Sequence, residues 1–460
     1  MGTIPSFAQA PTDNAVSTVS QADEIRELRE AVKELRAEVA ELKSEIQGGK
    51  ATDLKVPAAS GDSASSSPAT PAQATEAQTV KRDGLGLDFL RQATIEVGLD
   101  GYYGYNFNNP IGRVNLLRAY DVSSNAFSLS QANLIFKEDP DLTAGRRWGG
   151  RLDLQYGQAT ETLQGRIGNE PRPDVYRPIF QVYGTYIAPL GKGLTIDMGK
   201  WASALGIENN YGKDQMNYSR SFWFNFLPFY HMGARVKYQF NDKFGVSYWA
   251  VNGTQQTEPF NGFKDQLIGV NIQPHKTVAW TMNYYIGQEH PDVTFFPNGG
   301  APPNSPTEQG LPFQPIPNAA DGKLHILDTY LTWQTTPRLT LAAEGDYVIQ
   351  RLFENSPPAH TTGGAIYARY QATPKVGIAA RSEYLSDRGG LFTGVTQAIK
   401  EITFTYDYKV ADRFLVRTEW RRDFSNQPFF LTDQLGRLSN HQNTATMGML
   451  WWWGNKEESW

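Results

Sequence analysis

Charged residues recur on one face of successive alternating stretches in the C-terminal part of the chain, and their spacing is its first chemical signal. Within their own alternating stretches, Arg235, Lys237, Arg369, Arg381, Arg417 and Arg421 fall on that face, as do Glu344, Asp346, Glu383, Glu401, Asp407 and Glu419. Glu96, Asp100, Asp153 and Asp197 follow the same rule. A dry core would not tolerate so many unpaired guanidiniums and carboxylates. Facing water, they would line an aqueous passage and bias which ions enter it. With both signs present and a net charge near zero, that bias should be weak. The pattern does not point to catalysis. The six His (His231, His275, His290, His325, His360 and His441) are scattered without metal-ligand spacing. No nucleophile is paired with a base, and no glycine-rich loop sits between strand and helix. With no cysteine in the chain, thiolate chemistry and disulfides are excluded. No cofactor is expected.

What must position these charges is a set of β-strands. In Met232–Val251, Met232, Ala234, Val236, Tyr238 and Phe240 occupy one face, with Arg235 and Lys237 on the other. A period of two is the strand signature. After the turn Asn241-Asp242-Lys243, Phe244, Val246, Tyr248 and Ala250 restore the same apolar face. Trp249 then falls on the charged face opposite Arg235. Such a hairpin fits a soluble sandwich, or a membrane barrel turned inside out.

The arrangement along the chain decides between them. Sixteen such segments follow one another, near 93–105, 125–137, 148–157, 179–188, 194–201, 229–240, 244–253, 266–273, 277–287, 323–334, 339–348, 363–371, 376–385, 398–409, 414–423 and 442–453. The second, fourth and tenth have an ambiguous phase. Connections after even-numbered segments are mostly tight, whereas those near 106–124, 158–178, 202–228, 288–322 and 424–441 are long. Short turns at one end and long loops at the other predict an all-β, up-and-down antiparallel transmembrane barrel of about sixteen strands. An even count returns both ends of the barrel to the short-turn side. A β-propeller would repeat in blades of four strands, and this alternation opposes it. Aromatics fit two interfacial girdles: Tyr103, Tyr156, Trp201, Tyr284, Tyr347 and Trp420 towards the long loops, and Phe240, Phe244, Trp333, Tyr370 and Phe414 towards the short turns.

Ahead of the barrel (residues 93–460), three segments have other characters. Residues 1–10 end in small residues, like the remnant of an export signal. Residues 22–47 read as a helix with Ile25, Val32, Val39 and Ile46 at heptad position a and Leu28, Leu35 and Leu42 at d. Glu at g and basic residues at e favour a parallel homo-oligomeric coiled coil, with two strands favoured by the a/d chemistry. Residues 48–90, rich in Ala, Ser, Thr and Pro, read as a disordered linker.

From about Val97 onward the chain resembles the β-barrel porin family of Gram-negative outer membranes. The resemblance is carried by Gly101-Tyr102-Tyr103-Gly104-Tyr105 before the Asn-rich Asn106–Pro110. It is also carried by Met198-Gly199-Lys200, Asn217-Tyr218-Ser219-Arg220-Ser221 and the stretch Pro228–Gly233. It implies a water-filled channel for passive diffusion of small hydrophilic solutes and ions, set in outer-membrane lipid. It also implies a homo-oligomer, with a trimer favoured over the dimer that the heptads suggest. The coiled coil would then lie in the periplasm, near peptidoglycan. A closed structural or adhesive barrel, anchored to the cell wall through the coiled coil, is the alternative. Nucleic acid is not an expected partner, because no basic domain is present.

The connection from Ala202 to Pro228 is the predicted constriction. Glu208, Lys213, Asp214 and Arg220 are its charges, and Trp223 stands among Tyr211, Tyr218, Phe222, Phe224 and Phe226. So many aromatics in one connection predict packing against the inner wall. Residues 288–322 read as an external flap. Pairing Tyr408 with Phe414 across the turn near Val410–Arg413 predicts Glu401 opposite Arg421.

Overall fold

The computed structural model describes Lys33 and residues 93–455, apart from 165–169, 171, 260, 291–292, 296–312, 316–321 and 352–356. Lys33 is helical. The expected export-signal remnant, coiled coil (apart from Lys33) and linker lie outside the described residues, as does most of the predicted flap.

Alternating side chains make strands, and sixteen of them close on themselves. In chain order they are β1 (Thr94–Asn106), β2 (Ala126–Glu138), β3 (Trp148–Tyr156), β4 (Ile179–Ala188), β5 (Leu194–Ala202), β6 (Tyr230–Asn241), β7 (Phe244–Val251) and β8 (Asp265–His275). They continue as β9 (Val278–Gly287), β10 (Leu324–Thr336), β11 (Leu339–Gln350), β12 (Ala359–Gln371), β13 (Val376–Arg388), β14 (Gln397–Ala411), β15 (Phe414–Ser425) and β16 (His441–Gly454). Each pairs antiparallel with its chain neighbour, and β1 pairs with β16 from Glu96↔Gly454 to Asn106↔Thr444. Closure leaves no barrel edge unpaired, which a chain crossing hydrocarbon requires. Short ladders decorate the long loops at Val293–Phe295 with Phe313–Pro315 and at Phe430–Leu431 with Leu438–Ser439.

The wall is inverted relative to a soluble protein. Phe127, Met198 and Ile366 are 89%, 72% and 64% exposed, whereas Arg381, Arg417 and Arg421 are buried. An outer face of this kind is stable only against lipid. Cross-strand partners stack on that face near the short turns. Phe414 lies over Trp451 at 4.6 Å, and Phe240 and Phe244 meet at 5.5 Å. Trp333 and Tyr370 are exposed at the same end, and Tyr156, Tyr347 and Trp420 are exposed near the long loops.

Trp201 departs from the predicted girdle: it is fully buried, packed edge-on to Trp249 at 5.7 Å. Trp201 lies four residues after inward-facing Asp197, and the ladders to β4 and β6 run through Gly199 without a register shift, so alternation itself places the ring inside. A Cβ at Gly199 would come within 2.2 Å of the Val182 carbonyl oxygen, so a side chain there is excluded.

The predicted pairing of Glu401 with Arg421 is also corrected. Asp412 and Arg413 alone make the turn, Arg413 at φ +67°, and β14 carries a bulge between Lys409 and Ala411. The strands therefore run further before turning. Glu401 faces Asp423, and Arg421 faces Thr403.

Candidate functional site

The long connection between β5 and β6 lies inside the barrel. Its hydrogen bonds reach walls that face one another. Gly206 N donates to Asp328 Oδ1 on β10 and Ile207 N to Glu344 Oε1 on β11, each at 3.1 Å. Asn210 Nδ2 donates to Gln155 Oε1 on β3 at 2.6 Å, and Tyr211 Oη donates to Asp153. Tyr218 Oη reaches Asp100 Oδ1 on β1 at 2.8 Å, while its backbone N and that of Ser219 donate to Glu419 on β15. Phe222 N donates to Glu383 Oε2 on β13 at 2.7 Å. Only a segment within the lumen can touch all of these strands.

Local sequence makes the inward turn stable. Ser221 caps a short helix, α1 (Phe222–Phe226), by accepting from Phe224 N at 2.9 Å. That helix carries Phe222 and Trp223 into a buried cluster with Trp201, Leu205, Leu227 and Trp249. Burying such rings is worth about 1.5–3 kcal/mol each, enough to hold a connection that would otherwise sample solvent. Burial also raises Tyr211 and Tyr218 well above the ordinary phenol range. Both therefore stay protonated and donate.

Three arginines staple the segment to the wall. Arg381 reaches Glu208 Oε1 at 2.7 Å, Glu401 Oε2 at 3.0 Å and the Ser219 carbonyl at 2.7 Å. Arg417 clasps Asp407 with two bonds of 2.7 and 2.9 Å and reaches the Gly212 carbonyl at 3.0 Å. Arg421 bonds Asp423 at 2.7 Å and the Arg220 carbonyl at 2.6 Å. A guanidinium offers five donors in a planar fork, so one side chain can hold a wall carboxylate and a loop carbonyl together.

The predicted lining residues thus divide. Arg381, Arg417, Arg421, Glu344, Asp346, Glu383, Glu401, Asp407 and Glu419 are buried, because the segment covers this part of the wall. Arg235, Lys237 and Arg369 keep solvent access. Arg235 Nε bonds Asp197 at 2.7 Å and its guanidinium lies over Trp201 and Trp249 at 4.5 and 4.9 Å. Arg235 does face Trp249 in register, as the alternation requires. Lys237 bonds the same Asp197 at 2.9 Å.

The predicted constriction residues divide too. Lys213 and Asp214 pair at 3.0 Å and are the segment's accessible charges. Glu208 is turned onto Arg381 and Ser221 N. Arg220 and Trp223 do not face open space. Arg220 donates to the carbonyls of Asn209, Tyr218 and Asn210, and Trp223 is fully buried. Both shape the segment from within.

Sequence reasoning missed Asp423, Arg118 and Asp328. Asp423 continues the parity of Arg417, Glu419 and Arg421 and was legible on that basis. Arg118 sits in a long loop, bonding Asp121 at 2.8 Å and Asp423 at 3.1 Å, and nothing in the sequence signals it. Asp328 lies on the tenth strand, whose phase the sequence left open.

Open space flanks the segment on both sides. Towards the short turns, a cleft of about 520 Å³ is lined by Lys213, Asp214, Arg338 and Arg369. Towards the long loops, a cleft of about 750 Å³ is lined by Arg118, Glu161, Asp174, Arg177 and Asn225.

A family model described as "Putative beta-barrel porin-2, OmpL-like" matches residues 93–451. Among solved structures, the chain is similar to an anion-selective porin from Comamonas acidovorans. The two share 9% identity and a TM-score of 0.49 over 78% of this chain and 99% of that one. OprB of Pseudomonas putida gives 11% and 0.49 over 80% and 96%. Outer-membrane expressed OmpT of Vibrio cholerae gives 11% and 0.48 over 78% and 97%. No curated protein matches the chain in sequence.

Proposed function

The chain belongs to this OmpL-like β-barrel porin family, and from that premise we propose a channel for passive diffusion of small hydrophilic solutes and ions across a Gram-negative outer membrane. One observation carries the reading: a closed barrel, apolar outside and charged within, is crossed internally by a braced segment with open clefts on either side. In this reading the segment around Lys213 and Asp214 narrows the path, and Arg235, Lys237 and Arg369 line it. The buried arginines and carboxylates brace the wall. No reaction is assigned to any residue. The heptads Ile25 to Ile46 support a homo-oligomer and by themselves lean to a dimer, whereas the porin family favours a trimer, the form proposed here; the coiled coil would reach into the periplasm towards peptidoglycan.

The test is single-channel current from the refolded chain in planar bilayers, with reversal potential measured under a salt gradient. Discrete steps with a small reversal potential are expected. Silence from inserted, folded protein would favour the closed structural barrel instead.

A further inference from the structure

Three carboxylates meet on the inner wall where the inward segment begins. Asp328 on β10 stands directly opposite Asp346 on β11, and Glu344 lies two residues before Asp346 on the same face. All three are buried, at 3%, 7% and 4% exposure for Asp328, Glu344 and Asp346. Like charges directly opposite one another destabilise a sheet, and buried ones do so more severely. Among the described residues, no Lys, Arg or His forms an ion pair with any of them. The wall carboxylates Glu401, Asp407 and Asp423, by contrast, are each met by a guanidinium, from Arg381, Arg417 and Arg421.

The hydrogen bonds are unevenly shared. Asp328 accepts from Gly206 N and from Asn283 Nδ2 at 2.7 Å. Glu344 accepts from Ile207 N and from Tyr367 Oη at 3.1 Å. Both oxygens of Asp346 are buried with no donor at all. A carboxylate in that state calls for a positive partner. One oxygen from each residue lies within 4.8 Å of the others. Oxygens across a Ca²⁺ ion bound at about 2.4 Å are separated by about that distance, and hard divalent cations prefer carboxylate donors.

We propose that Asp328, Glu344 and Asp346 hold a hard divalent cation, of the Ca²⁺ or Mg²⁺ class, beneath the entry of the inward segment. Asp328 and Glu344 also accept the backbone N–H groups of Gly206 and Ile207, so the cation fixes the segment's first turn to β10 and β11. Without it the three groups must share protons or repel. The site does not depend on conduction, so its test stands apart from that of the channel.

The experiment uses the full refolded chain in detergent, stripped with EDTA, then titrated calorimetrically with CaCl₂ and separately with MgCl₂. Thermal unfolding is followed by circular dichroism with and without each ion. One ion should bind per chain and raise the melting temperature, and the tighter of the two identifies the class. Asp346→Asn should weaken binding by about tenfold or more and abolish the rise. Glu344→Gln should do the same, which guards against either variant failing to fold. Asp412→Asn, on an exposed turn, should bind like the parent. The proposal is overturned if Asp346→Asn binds as well as the parent. It is also overturned if neither ion binds and Asp346→Asn is the more stable protein in EDTA, which would show that a shared proton fills the role.

Discussion

Two clusters on the same interior face carry the same chemistry and differ in fate. Arg381, with Glu208, Glu383 and Glu401, has a side chain 0% exposed, and so do both wall carboxylates. Arg235 and Lys237 share Asp197, and their side chains are 11% and 43% exposed. Residue types and strand parity are matched, so neither explains the contrast. The inward segment does: it covers the first cluster and leaves Lys237 open. A charge on the inner wall of this barrel is a brace where the segment lies over it and part of the lining where it does not.

Breaking the covered cluster should cost most. Arg381→Ala strands Glu401, Glu383 and Glu208 without their guanidinium and frees the Ser219 carbonyl. A loss of about 3–5 kcal/mol is expected in denaturant unfolding from lipid vesicles. Leu227→Ala, which empties a fully buried site beside Trp223 without touching charge, should cost about 2–5 kcal/mol in the same assay. If Arg381→Ala were nearly neutral, the segment would not be stapled as described.

The open cluster should respond in the opposite sense. Lys237→Gln should change stability by less than about 1 kcal/mol, as is usual for solvent-accessible ion pairs. It should nevertheless move the reversal potential towards cations, because Asp197 loses one of two positive partners. An unchanged reversal potential would remove Lys237 from the path.

The smallest effect lies outside the membrane. In the turn after β2, Asp141 accepts from Thr143 Oγ1 at 2.6 Å, Thr143 N at 2.9 Å and Ala144 N at 3.1 Å, and these bonds lower its pKa. A lowered folded value means the bonds stabilise the turn above the ordinary carboxylate range. That contribution is lost as pH falls through the folded value. Amide protection of Thr143 and Ala144 should hold at neutral pH and fade in acid, and Asp141→Asn should flatten that dependence.

Strand parity was legible because lipid on one side and charge on the other enforce a period of two. Hence Arg235 met Trp249, and the loop lengths alternated as read. The failures have local causes. A bulge near Lys409 shifted Glu401 away from Arg421, and Trp201, expected in the outer girdle, shares the phase of inward Asp197. The tenth strand was ambiguous for a more instructive reason: Leu324 and Ile326 are apolar and point inward, into the cluster that includes Leu205 and Trp223. Where the segment covers the wall, the wall is no longer uniformly polar, and the polarity rule loses its contrast. Which charges would be covered could not be read at all, because it depends on contacts between Glu208 and Arg381 or Gly212 and Arg417, far apart in the chain.

The central claim is that Lys213 borders the conducting path while the outer wall does not. The chain has no cysteine, so Lys213→Cys and Phe127→Cys each place a single thiol. Single-channel current should be recorded as a charged methanethiosulfonate reagent is added to each. The account predicts a stepwise fall in current for Lys213→Cys and none for Phe127→Cys. An unchanged current in Lys213→Cys, with complete labelling verified by mass, would contradict it.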